Sequence, residues 1–170
     1  MRLTVKDIAV FGMLTAAMLV SKKAMEVLPN IHLLAAFVVA ITVVYRQKAL
    51  YPLYAYVLLD GMMAGFATWW MPYLYLWTVL WGVTMLLPRT IPPRVAPIVY
   101  MMLCAAHGLC FGILYAPMQA WMFGLNAEQM LAWIVAGLPF DAIHGVSNFF
   151  CGALVVPLVA VLRRTQHIAQ

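Results

Sequence analysis

Charge is what this chain has least of. Only 9% of its 170 residues are Asp, Glu, Lys or Arg, and only five of these are acidic. A soluble domain carries roughly a quarter charged residues. Too few polar side chains exist to coat a globular surface, which excludes a water-soluble fold. Cysteine is also sparse. Cys104, Cys110 and Cys151 form no CxxC pair and all lie in apolar runs, so they read as small buried residues rather than disulfide or metal positions. No phosphate-cradling glycine loop, HExxH or GxSxG is present. ATP hydrolysis by this chain alone is therefore not expected, and neither is an enzyme or a bound cofactor. No soluble extra domain, linker or internal repeat is visible.

What is present is apolar. Hydrophobic residues make up 66% of the chain, and the mean hydropathy is +0.96. In lipid the backbone must satisfy its own hydrogen bonds, and runs of about 20 apolar residues do so as helices. The length accommodates about six such spans. The expectation is one all-α integral membrane domain over 1–170 with six transmembrane helices. They are placed at Val5 to Val27, His32 to Tyr45, Leu50 to Phe66, Tyr73 to Leu87, Ala96 to Tyr115 and Met130 to Leu162. The last is expected to kink at Pro139. A short interfacial segment is expected within "APMQAWMFGLNAEQ", and the prolines of "PRTIPPR" exclude helix there. The basic, apolar N-terminus is read as the first helix rather than a cleaved signal.

The basic residues follow this division. With six spans both termini share a side, which receives Arg2, Lys6, Arg46, Lys48, Arg89, Arg94, Arg163 and Arg164. The other side receives Lys22 and Lys23. Positive charge collects in cytoplasmic loops, so both termini are expected in the cytoplasm. The net charge of +5 is a topology and headgroup signal, not a nucleic-acid footprint.

Against this background "PFDAIHGVSNFF" stands out. Asp141, His144 and Asn148 share one helical face. A carboxylate at bilayer depth costs at least about 2.5–3.5 kcal/mol. Three readings stay open for the stripe: helix-to-helix hydrogen bonding, a ligand site, or a proton relay. Asp60 is the other acidic residue inside a span. It reads either as a packing carboxylate paired with a donor such as His107, or as a ligand contact. His107 itself lacks a second histidine at metal-ligand spacing and reads as a satisfied helix residue.

Aromatics crowd "WWMPYLYLWTVLW", which holds four of the six tryptophans. About half suit an interfacial belt. Trp69, Trp70 and Tyr73 sit at a proline-broken turn, where irregular backbone lines a cavity and ring faces suit a planar or cationic ligand. Gly12 and Ala16 have small-xxx-small spacing, which serves internal packing and subunit docking equally.

Six short spans, a small-residue first helix, an aromatic loop before helix 4 and "GLPFDAIHG" opening the last helix resemble the substrate-binding S component of energy-coupling-factor transporters. In that family a similar "PF-polar-x-x-polar-G" pattern contacts the vitamin, and it maps onto Asp141 and His144, with Asn148 one turn on. The family's docking face maps onto Gly12 and Ala16. The resemblance implies a bacterial plasma-membrane protein that captures a vitamin-like molecule from outside. Its implied partners are a transmembrane coupling subunit and two cytoplasmic ATPases. Asp141 beside His144 would favour a cationic or donor-rich ring. The alternative is a solitary secondary transporter or channel with Asp141 and His144 as proton relay, although no inverted repeat supports it.

Overall fold

The computed structural model describes residues 3–167. Among them every regular element is helical: α1 (Val5–Ala24), α2 (Leu34–Tyr45), α3 (Leu50–Ala64), α4 (Tyr73–Leu86), α5 (Ala96–Leu109), α6 (Phe111–Phe123), α7 (Ala127–Gly152) and α8 (Val155–His167), with a 3-10 turn at Arg46–Ala49. The two best-marked helix starts are capping boxes. Thr4 and Asp7 exchange backbone and side-chain hydrogen bonds at 3.1 Å, and Asn126 does the same with Gln129. Lys22 and Lys23 occupy the last turn of α1, where the helix dipole favours cations.

Among the described residues three stretches are long and apolar enough to cross a membrane: Leu34–Ala64, Ala96–Phe123 and Ala127–Gly152, with Tyr73–Leu86 a shorter apolar helix. The first of these is not one rod. Arg46 takes a positive φ of 52°, and the chain reverses there. The cross-links define the directions. Lys48 binds Asp7 at 2.8 Å, Thr15 Oγ1 donates to Pro52 O at 3.2 Å, and Lys22 binds Asp60, so α1 and α3 run the same way. Tyr54 OH donates to Leu74 O at 3.0 Å and Trp70 Nε1 to Val57 O at 2.8 Å, so α4 runs against α3. At the far end of α4, Arg46 Nη2 donates to Met85 O at 2.7 Å and Trp81 Nε1 to Arg46 O at 3.1 Å. Near its start, the His32 ring lies 5.9 Å from Trp77. Hence α2 is parallel to α4 and antiparallel to α3.

The later helices extend the pattern. Gly152 abuts Met101 while Gly112 meets Asp141, so α7 descends beside the ascending α5 and α6. Lys6 Nζ donates to Gln166 O at 3.1 Å, which returns α8 to the beginning of α1. The result is an up-down bundle of arms α1, α2, α3, α4, α5–α6 and α7–α8. One end holds Lys6, the 46–49 turn, the 87–95 connector and Arg163 and Arg164; the other holds Lys22, Lys23 and the connectors 25–33 and 65–72. Arg2 lies outside the described residues.

The core is built around α2, where Leu34, Ala35, Ala36, Val38, Val39 and Ile41 have no exposure. A helix apolar all round belongs at the centre. The outside is apolar too: Leu58, Met62, Val135, Ile143 and Val146 are exposed. In α7 only 17% of the most apolar window is buried within the protein.

Two boundaries differ from the sequence reading. The fifth arm breaks at Cys110 and continues as α6 to Phe123, rather than ending near Tyr115. The cause is visible: Gly112 N donates to Asp141 instead of to the carbonyl one turn back. The sixth arm begins at Ala127 and interrupts at Ala153 and Leu154, not at Pro139, which lies inside unbroken α7. There Ala153 N and Leu154 N turn back to Phe150 O and Cys151 O, and Pro157 follows in the first turn of α8. Proline lacks the N–H and crowds the carbonyl four residues earlier, here that of Ala153.

Candidate functional site

The end of the bundle that carries Lys22 contains a buried polar cluster. His32 comes from the 25–33 connector just before α2, Trp77 from α4, His107 from α5 and His144 from α7. The His32 and His144 rings lie 4.8 Å apart. Trp77 touches His32 at 5.9 Å and His107 at 5.5 Å between ring centroids. Phe111 closes the ring of contacts, 4.8 Å from His144 and 6.0 Å from His107.

Trp77, His107 and His144 are buried and His32 is half-buried, with polar atoms to spare. His32 Nδ1, Trp77 Nε1, His107 Nδ1, His144 Nε2 and both amide atoms of Asn148 lack hydrogen-bond partners. Asn148 has no exposure and His144 only 2%. An unsatisfied buried polar group costs about 1–3 kcal/mol, so such groups are normally paired. His107 Nε2 faces Leu76 O at 3.2 Å and must donate there, which leaves Nδ1 as an acceptor in the neutral ring. Trp77 Nε1 can only donate. The cluster thus offers donors and acceptors among flat apolar walls. Among the described residues no group of three or more His, Cys, Asp or Glu is arranged to hold a metal ion.

A second polar group adjoins it through aromatic contacts. Tyr73 lies 5.7 Å from Trp77 and 5.5 Å from Trp69. Lys22 Nζ sits 5.1 Å from the Trp69 ring centre and 5.3 Å from that of Tyr73, and it binds Asp60 Oδ2 at 2.5 Å. Asp60 has no exposure. Its pairing with Lys22 corrects the expected pairing with His107. Asp60 on α3 faces parallel α1, whereas His107 on α5 faces α4. Lys22 is accordingly more than a loop charge.

The predicted residues divide. His144, Trp69 and Tyr73 line this connected region, with Asn148 one turn below His144. Asp141 points elsewhere: both carboxylate oxygens accept from Gly112 N at 3.1 Å, capping the break before α6. It makes no hydrogen bond to His144, so the two form no direct relay. Trp70 anchors the 65–72 connector, with its Nε1 on Val57 O and its ring against Phe66 at 4.9 Å. Gly12 and Ala16 lie on the exposed face of α1, and a Cβ on Gly12 would meet nothing within 4 Å, so internal packing does not require a glycine there.

The close packing lies elsewhere. A Cβ on Gly108 would sit 2.8 Å from His144 O, and one on Gly152 would sit 2.7 Å from Met101 Cα. Gly108 and Gly112 form a GxxxG pattern that sequence inspection could have read as the α5–α7 contact. His32, Trp77, His107 and Phe111 were missed as site residues because they come from separate parts of the chain; His107, expected to be satisfied, leaves its Nδ1 without a partner. The local signal is a histidine two residues after Asn30 in the Pro29-Asn30 break.

The chain matches no family model, no curated protein and no solved structure.

Proposed function

We propose that this chain is a six-span membrane protein that captures a small, ring-bearing, vitamin-like molecule, as the substrate-binding S component of an energy-coupling-factor importer. One observation carries the reading. Four side chains from four parts of the chain, His32, Trp77, His107 and His144, meet with unpartnered ring nitrogens at one end of the bundle. That end is opposite the one holding Lys6, Arg46, Lys48, Arg89, Arg94, Arg163 and Arg164. With basic loops in the cytoplasm of a bacterial cell, both termini are cytoplasmic and the polar cluster lies in the outer half of the bundle. Intramembrane polar groups of this kind are functional by default.

The apolar exterior supports insertion of all six arms, including those too short to qualify alone. The exposed Gly12–Ala16 face of α1 is the docking surface for a transmembrane coupling subunit, which two cytoplasmic ATPases drive. Small residues there permit a close helix approach. The proton-relay alternative is favoured by no direct hydrogen bond between Asp141 and His144; Asp141 accepts from Gly112 N.

Co-expression tests the reading. The tagged chain, produced with a coupling subunit and ATPases from the same genome, should co-purify with them in mild detergent, and Gly12→Leu should abolish this. Repeated recovery of the chain alone would overturn the importer assignment.

A further inference from the structure

The Lys22 ammonium occupies a niche whose walls all suit a cation. Asp60 Oδ2 holds it at 2.5 Å, and the rings of Trp69 and Tyr73 flank it at 5.1 and 5.3 Å. Ring faces carry negative potential, and carboxylates accept from cations. Asp60 is fully buried, yet its Oδ1 has no partner. The nearby Tyr56 hydroxyl is 3.5 Å from the other oxygen, Oδ2. The niche therefore provides more cation-binding capacity than Lys22 uses.

Lys22 is also placed to leave. It stands in the last turn of α1 on a flexible stem, and its side chain is 19% exposed while that of Asp60 is not exposed at all. The niche adjoins the histidine cluster through the Tyr73–Trp77 contact at 5.7 Å.

We infer that Asp60, Trp69 and Tyr73 form a docking point for the cationic end of the captured molecule, and that Lys22 is a resident cation which the ligand displaces. The inference rests on the capture reading above and specifies its substrate class: an organic cation attached to a flat ring. Exchange of one cation for another keeps the buried carboxylate neutralised throughout, which avoids the large cost of leaving it alone. A neutral analogue cannot replace the ammonium. An anion finds only Lys22 itself as a charged donor in the niche.

Amine acylation followed by mass spectrometry tests this on the purified full chain, with Lys23, whose side chain is 31% exposed, as internal reference. The probes are benzyltrimethylammonium, benzyl alcohol and benzoate. Benzyltrimethylammonium should raise acylation of Lys22 severalfold, and benzyl alcohol should not. Asp60→Asn should release Lys22 to fast acylation without any probe. If Lys22 fills the niche about nine-tenths of the time, Lys22→Met should bind benzyltrimethylammonium about tenfold tighter in titration calorimetry. Unchanged or reduced acylation with the cation overturns the exchange. Protection by benzoate alone would make Lys22 an anion ligand instead. Normal assembly with the coupling subunit beside unchanged acylation sinks the cation niche only. Failed assembly beside raised acylation sinks the importer reading only.

Discussion

Asn148 shows at one residue how function and stability pull apart. Its amide is buried with neither atom bonded, at a cost of about 1–3 kcal/mol. Leucine has nearly the same shape and no polar atoms. Asn148→Leu should therefore raise the melting temperature in detergent and, on the capture reading proposed above, weaken ligand binding. A lower melting temperature would mean that the amide has partners within the protein, and Asn148 would leave the site. His144→Phe should lower binding as well, but at nearly unchanged stability. It keeps the tilted contact with Phe111 and the edge-on contact with His32 but removes the free Nε2.

At the scale of an element, the break between α5 and α6 depends on one carboxylate. Asp141 accepts from Gly112 N, and a Cβ on Gly112 would run into that same carboxylate. Gly112→Ala should destabilise the protein by about 1–3 kcal/mol, as overpacked sites do. Asp141→Ala should also destabilise, since it strips the acceptor from a buried N–H. The double variant should recover part of the loss, because the methyl gains room where the carboxylate stood. Strict additivity of the two losses in thermal melts would contradict this contact. If Asp141 acts only as this cap, Asp141→Ala should reduce stability more than ligand affinity. That reverses the sequence expectation, in which Asp141 contacts the ligand.

At the scale of the molecule, the segregation of basic residues predicts a measurable orientation. With Cys104, Cys110 and Cys151 replaced by alanine, a cysteine at Glu26 should react with an impermeant maleimide in intact cells. One at Arg89 should react only after the membrane is opened. Labelling of both positions from the same side would refute the six-pass insertion. The arms α2 and α3 bear most on this test. Their combined stretch, Leu34–Ala64, is 31 residues long and apolar enough to cross a membrane, yet the positive φ of Arg46 and the links from α3 to α4 fold it into a hairpin.

Helix content, the approximate ends of the first four arms and an apolar exterior were legible in the sequence. Each follows from local hydropathy and from proline and glycine positions, which act within a few residues. The stripe of Asp141, His144 and Asn148 was legible too, as a 3.6-residue periodicity. Its division of labour was not. Only the packed structure turns Asp141 toward Gly112, brings His32, Trp77 and His107 around His144, and sets Lys22 against Asp60. Those pairings join residues distant in the chain, and which arm neighbours which depends on close approach at Gly108, Gly145 and Gly152. Periodicity describes the face of one helix; it carries no information about which face of another helix will meet it.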